Sequence, residues 1–368
     1  MKKDTITYCL LSILFLLPVT ATAQVRTFQW GNAQREYLLF VPANRTDARP
    51  VMYFLHGLGD NITRCANEMH FDNLAERYGW VIVVPQALNV SGAAMWNAGL
   101  GGSADDAGFL LALLDTLVAD GHANPDSVFF TGFSMGGFMT HRMAIEHGDR
   151  ITACAPVSGL ITFAFANDVP PVPVRMMHIH GTADPVVGWT GNSAYFGTIG
   201  ISVDSVVSFW TSWNNCDPEP TIDTLPNRVN DGLRFVRYTY SGEAEFQLLK
   251  VIGGNHTWYQ NTATHDIDYF DEIHRFFVGD DSSLGLNTPE GGRPQFDVWP
   301  NPTDGILYVQ ASEAVTLTLF DIYGHQVLTT QTPADSATLD LRSMPEGLYV
   351  LVDNSGTAHK ILNKGNNL

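Results

Sequence analysis

Gly132-Phe133-Ser134-Met135-Gly136 sets a single serine between two glycines, where the apolar run SVFF gives way to the amphipathic pattern GGFMTHRMAIEHG. A strand that turns sharply into a helix lifts such a hydroxyl clear of the sheet, because the flanking glycines let the backbone bend without Cβ clashes. The hydroxyl is a weak nucleophile until a base takes its proton, so an acid and then a histidine are expected downstream. Asp184 follows the run RMMHIH in HGTADPVV, and His256 follows FQLLKVI in GGNHTW. Each stands just past a predicted strand, at the edge where open α/β sheets assemble their sites. The expectation is a nucleophile Ser134, a base His256 and an orienting acid Asp184, forming and hydrolysing an acyl-enzyme.

An oxyanion generated in that chemistry needs two backbone N–H donors. Met135 supplies one by following the nucleophile. The second is expected from His56-Gly57-Leu58-Gly59 after the run VMYFL, with Leu58 assigned and Gly57 or Gly59 as alternatives. Asp168 falls in a proline-rich loop and Asp204 opens a helix, so both are weaker acids for the role; His265 and His274 read as surface residues, and His180 as a residue that shapes the Asp184 loop.

The elements that must hold these residues alternate: VMYFLHG then FDNLAERYG, WVIVVPQ then DDAGFLLALLDTLVADG, SVFFTGF then GGFMTHRMAIEHG, with further strands at ITACAPVSG, RMMHIHG and FQLLKVIGG. Continuous apolar strands between helices predict an α/β fold with a mostly parallel sheet covered on both faces. DDSSLGLNTPEGGRPQ, residues 280–295, reads as a linker. Beyond it the period changes to two in ILYVQ, VTLTLFD, ATLDL and GLYVLV, with turns at NPTDG and YGH, which predicts a small all-β sandwich. The expected organisation is a leader at 1–23, a catalytic α/β domain at 24–279, the linker, and a sandwich at 296–368.

The leader is read from Lys2 and Lys3, the apolar run that follows, and Ala21-Thr22-Ala23 as a cleavage site. Its loss takes away Lys2, Lys3 and Asp4 and moves the net charge from −18 to −19. So acidic a chain repels nucleic acid and anionic membrane, and no later segment is apolar for long enough to span a bilayer. Cys65, Cys154 and Cys216 remain; Cys154 reads as a buried small hydrophobe, and Cys65 with Cys216 is the pair expected if a disulfide forms. Cysteine and histidine spacing gives no metal pattern, and no cofactor is implied.

Together with LHGLGD, MWNAG (95–99), DDAGFLLALLD and APVSG, the three site motifs make residues 28–279 resemble the secreted α/β-hydrolase esterases that include feruloyl esterases, acetyl xylan esterases and short polyhydroxybutyrate depolymerases. The resemblance implies a serine esterase acting on feruloyl or acetyl esters of plant polysaccharide, or alternatively on hydroxyalkanoate oligomers. It places Trp96, Asn97, His56 and Trp258 near the substrate, and gives Asp106 the work of tying loop to helix. A peptidase of this fold and a non-catalytic surface binding protein are the readings from other classes. The chain departs from relatives that carry cysteines near W-N-x-G and before the histidine strand, having Ala98-Gly99-Leu100 and RYTYSG there, and it has Asn255 and Tyr259 where Gly and Pro are common. WPNPTDGILYV, VTLTLFDIYGHQV, DLRSMPEGLYVLV and HKILNK make residues 296–368 resemble the type A sorting domain of the type IX secretion system, which implies that machinery as a partner and a secreted or cell-surface destination. A carbohydrate-binding module is the competing reading of that sandwich.

Overall fold

A computed structural model describes residues 25–43, 48–260, 262, 264–279, 296–300, 303–311, 314–321, 326–332, 337–353 and 358–364. The leader at 1–23, the linker at 280–295 and the YGH turn at 323–325 lie outside the described residues. The chain divides into two compact units between Gly279 and Asp280.

The first unit is organised by ten strands: β1 (Val25–Trp30), β2 (Ala33–Phe40), β3 (Arg49–Leu55), β4 (Val81–Pro85), β5 (Ala123–Phe133), β6 (Ala153–Val157), β7 (Arg175–Gly181), β8 (Thr221–Thr224), β9 (Arg234–Tyr240) and β10 (Phe246–Ile252). They form one sheet in the order β1-β2-β4-β3-β5-β6-β7-β10-β9-β8. From β4 through β10 every neighbouring pair is parallel. Two antiparallel strands close each edge. Those edges were not apparent in the alternation of strands and helices, because β1 and β2 are joined by a hairpin at Gly31 (φ 55) rather than by a crossover helix.

Alternate residues of the strands feed two cores. Val51, Tyr53 and Leu55 pack with α3 (Asp106–Ala119), α4 (Met135–His147) and α5 (Val203–Trp213) through residues such as Phe109, Met139 and Trp210. Met52 and Phe54 face the opposite way, against α1 (Ile62–Met69), α2 (Phe71–Tyr78) and α6 (Tyr269–Val278). Both faces of the central strands are thereby dry, which is why they read as continuous apolar runs. Asn61, Asp105, Ser202 and Asp268 cap α1, α3, α5 and α6, each accepting a hydrogen bond from a first-turn N–H.

Among the described residues Cys65, Cys154 and Cys216 carry free thiols. The expected Cys65–Cys216 pair is incorrect: Cys65 lies in the core under α1, whereas Cys216 packs against the core on the other face of the sheet. A disulfide cannot reach through a sheet. Cys154 is fully buried in β6.

In the second unit β11 (Phe296–Trp299), β12 (Ile306–Ala311) and β15 (Ala337–Asp340) form one antiparallel sheet. A second contains β13 (Val315–Asp321), β14 (Gln326–Thr332), β16 (Gly347–Asp353) and β17 (Ala358–Asn363) in the order β14-β13-β16-β17. Leu307, Val309 and Leu339 of the first sheet share a core with Leu317, Leu319 and Leu351 of the second. The alternating pattern is thus that of two sheets packed face to face.

Candidate active site

Ser134 sits between the end of β5 and the start of α4 with φ 55 and ψ −119, a conformation that side chains other than glycine rarely adopt. The bend is held from both sides: Ser134 N–H donates to the Val157 carbonyl (2.9 Å), and Phe138 N–H donates to the Ser134 carbonyl (3.1 Å). The glycines of the motif have distinct reasons. A Cβ on Gly136 would overlap the Leu55 carbonyl of β3, and one on Gly132 would stand 2.6 Å from the Gly136 carbonyl oxygen. Only bare backbone lets helix and neighbouring strands approach so closely.

The acid and base stand beyond β7 and β10, which pair in parallel. Thr182 N–H reaches the Val251 carbonyl and Ala183 N–H the Gly254 carbonyl, lacing the two loops together. The Asp184 carboxylate has no solvent exposure; its Oδ1 accepts the N–H groups of Val186 (2.9 Å) and Val187 (2.8 Å), while Oδ2 lies 2.7 Å from His256 Nδ1. Burial by itself would raise the Asp184 pKa. The hydrogen bond and charge of His256, with the Val187 N–H, outweigh it and hold the carboxyl below its ordinary value. Because Nδ1 carries the proton shared with Asp184, Nε2 keeps a lone pair, the form a general base requires. The His256 loop is fixed by its own contacts: His256 N–H donates to Asn255 Oδ1, Asn255 N–H donates to Tyr259 Oη, and the imidazole packs on the Phe133 ring at 4.8 Å. Asn255 and Tyr259, two of the positions at which the chain departs from the relatives it resembles, therefore brace the histidine. Among the described residues no hydrogen bond joins Ser134 to His256.

Of the backbone donors after β3, Gly59 N–H is already engaged by the Ala94 carbonyl at 2.8 Å. That leaves Leu58 and Gly57 beside Met135. Ser134, Met135 and Leu58 border a cavity of about 290 Å³, whose walls include Met95, Leu100, Phe138, Val186, Val187 and Ile199. Sequence reasoning did not assign these walls: Met95, Phe138, Val186 and Val187 stand inside motifs read for other residues, and Ile199 stands in none. A flatter hollow of about 680 Å³ near Glu146, His147 and Asp168 contains none of the three candidate catalytic residues.

None of the four residues expected near substrate lines the cavity that Ser134 borders, and each is engaged in contacts within the fold. Trp96 is completely buried, and its Nε1 donates to the His56 carbonyl (3.0 Å). His56 is equally buried; Ala87 N–H donates to its Nε2 (3.1 Å), so Nδ1 donates to the Gly57 carbonyl (2.7 Å), and burial lowers its pKa. Asn97 ties its loop through Nδ2 to the Ala104 carbonyl and through N–H to Asp106 Oδ2. Trp258 is packed among Phe54, Phe270 and Tyr269 on the α6 side of the sheet. Asp106 does tie loop to helix: its other oxygen accepts from Arg35 Nη2 at 2.8 Å, and both side chains are buried.

Asp168 lies in a loop away from His256, and Asp204 in the first turn of α5. His265 and His274 are partly exposed: His265 pairs with Asp231 (3.1 Å), and His274 stacks on Tyr78 at 4.0 Å. His180 is buried and makes contacts in the loop it was expected to shape, with Nε2 2.7 Å from the Val187 carbonyl. Among the described residues no group of three or more His, Cys, Asp or Glu side chains is placed to hold a metal, and no helix is long and apolar enough to cross a membrane.

Residues 35–190 match the family described as esterase PHB depolymerase, and residues 297–364 match the secretion system C-terminal sorting domain. A bifunctional acetylxylan esterase/xylanase of Neocallimastix patriciarum is 27% identical over 157 residues, covering 43% of this chain and 22% of its own. Feruloyl esterase C of Emericella nidulans is 28% identical over 169 residues, covering 43% of this chain and 57% of its own. The chain thus spans only part of the length of these curated relatives. The solved structure of an acetyl xylan esterase from Aspergillus awamori superposes with a TM-score of 0.50 at 16% identity, over 69% of this chain and 99% of that one, which shows a shared fold.

Proposed function

We propose, from a chain whose residues 35–190 match the esterase PHB depolymerase family and whose residues 297–364 match a secretion-system sorting domain, that this protein is an exported serine carboxylic ester hydrolase. The observation that carries the reading is the 2.7 Å contact between Asp184 and His256, which leaves His256 Nε2 as acceptor at the same sheet edge as the strained Ser134.

In the proposed reaction His256 Nε2 takes the Ser134 proton as Oγ attacks the ester carbonyl. The N–H groups of Met135 and Leu58 hold the oxyanion. The imidazolium, stabilised by ionised Asp184, then protonates the departing alkoxide, leaving Ser134 acylated. Water repeats the sequence: its proton goes to His256, its oxygen to the acyl carbon, and the proton returns to Ser134 as the acid leaves. The chemistry needs no cofactor or metal.

The cavity supports a choice of ester. Its side-chain walls are mostly aliphatic and aromatic, and an acetyl group would occupy a small part of about 290 Å³. A feruloyl group on plant polysaccharide fits better than an acetyl group on the same polymer; a hydroxyalkanoate oligomer is the second candidate, on the strength of the family matched. The sorting domain supports delivery through type IX export to the cell surface or beyond.

The test is hydrolysis of methyl ferulate, acetylated xylan and a hydroxybutyrate oligomer by the full chain beside its Ser134→Ala variant. Ferulate release lost in the variant is expected. Folded protein inactive on all three esters would refute the proposal and favour a peptidase or a binding protein.

A further inference from the structure

Three histidines outside the catalytic set form a continuous file through the core. His178 and His180 are two apart on β7, hence on one face, and His141 comes from α4; all three are buried. Trp210 Nε1 lies 3.2 Å from His141 Nδ1, His141 Nε2 lies 3.2 Å from His178 Nδ1, and His178 Nε2 lies 3.2 Å from His180 Nδ1. His180 Nε2 ends the file 2.7 Å from the Val187 carbonyl.

The two ends fix the direction of every bond. An indole N–H can only donate, so His141 Nδ1 accepts; a carbonyl can only accept, so His180 Nε2 donates. With one proton per ring, each histidine must be the Nε2–H tautomer. The rings meet that condition: burial and neighbouring rings lower His141 to about 3 and His178 well below the imidazole range, and burial lowers His180 despite its acceptor and nearby Asp184. The facing groups are the Gly159 carbonyl at His141 and, at His180, Asp184 (4.0 Å) with His256 behind it. A buried polar file is tolerated only when each member is satisfied, and this one is.

Its last acceptor gives it a use. Val187 offers its carbonyl to His180 and its N–H to Asp184 Oδ1, and it lines the cavity together with Ser134. The geometry points to a one-directional hydrogen-bond chain, Trp210–His141–His178–His180, whose members are positioning residues: it anchors the Asp184–Val187 loop to α4 and α5, and so sets the carboxylate that orients His256. This inference rests on the triad reading for its catalytic consequence but not for the chain itself.

The test uses the full chain with ¹⁵N-labelled histidine. All three rings are expected as Nε2–H tautomers, in both the wild type and Ser134→Ala; an Nδ1–H tautomer in any of them overturns the chain. Trp210→Phe removes the first donor, and His178→Leu breaks the middle, whereas His178→Gln keeps one acceptor and one donor. In folded Trp210→Phe and His178→Leu, kcat is expected to fall about 10- to 100-fold with KM within about twofold, and the His256 Nδ1–H resonance to move; glutamine should recover most of the loss. If leucine prevents folding, Trp210→Phe and His178→Gln decide the matter. Unchanged kcat and an unmoved His256 resonance in folded Trp210→Phe would overturn the positioning role. Wild-type hydrolysis that survives in Ser134→Ala would instead overturn the triad, leaving the tautomers to judge the chain.

Discussion

Asp184 Oδ2 lies 2.7 Å from His256 Nδ1, while its other oxygen is wrapped by the N–H groups of Val186 and Val187. Both carboxylate oxygens are committed, so the ring they hold has one orientation and one tautomer. Asp184→Asn preserves the shape but offers an amide where the imidazole N–H needs an acceptor. We expect kcat to fall about 10³- to 10⁴-fold with the fold intact. Stopped assays at pH 7 to 8 check this; a loss below tenfold would remove Asp184 from the mechanism. The depressed carboxyl also stabilises the native state above the unfolded value of about 4, and that contribution is lost as pH falls through its folded pKa.

Gly136 of α4 lies against the backbone at the end of β3. Its replacement by alanine drives a methyl into the Leu55 carbonyl, backbone at the C-terminal end of β3 that cannot swing aside as a side chain would. We expect a loss of about 3 kcal/mol or more in unfolding free energy, read as a lower urea midpoint. A midpoint unchanged from wild type would mean that the helix can shift freely.

Leu100 lines the cavity and belongs to neither the triad nor the oxyanion donors. Leu100→Trp should fill space that a bulky acyl group needs and an acetyl group does not. We expect kcat/KM for methyl ferulate to fall about 10- to 100-fold while phenyl acetate hydrolysis stays within about threefold. Equal losses on both esters would place the acyl group elsewhere.

The three core histidines bind fewer protons when folded than when unfolded, because burial depresses their pKa values. Stability is therefore full above the unfolded value of about 6.5 and declines as pH falls towards the folded values. Each ring can contribute up to about 1.4 kcal/mol per pH unit in that window. Urea midpoints at pH 7.5 and pH 5 should differ, and His178→Gln should show a shallower decline. Identical midpoints in the wild type at the two pH values would contradict neutral burial.

Ser134, Asp184 and His256 could be proposed from the sequence because each carries its own local grammar: a glycine elbow, or a polar residue just past an apolar strand. What surrounds them was less legible. Trp96 and His56 stand in motifs beside the site, yet their ring nitrogens are spent on carbonyls and amides in the core. Adjacency in sequence does not say which way a side chain faces. The cavity walls at Leu100, Phe138 and Ile199 meet only in three dimensions. β1 and β2 were hidden for a different reason: a hairpin edge breaks the strand-helix alternation on which the reading of the parallel core depended. His178 and His180 sat in view within RMMHIHG, but their partner His141 lies 37 positions away from His178 and nothing local links them.

The backbone of Ser134, at φ 55 and ψ −119, is one that glycine adopts freely and serine does not. On the proposed mechanism, the strain therefore falls on the residue that the chemistry needs. Ser134→Gly should melt a few degrees higher than the wild type, a gain of roughly 1 kcal/mol, while hydrolysing nothing. A Ser134→Gly variant that melts lower would mean that the hydroxyl repays the strain through contacts of its own; one that melts higher would put a temperature on the conflict between chemistry and endurance.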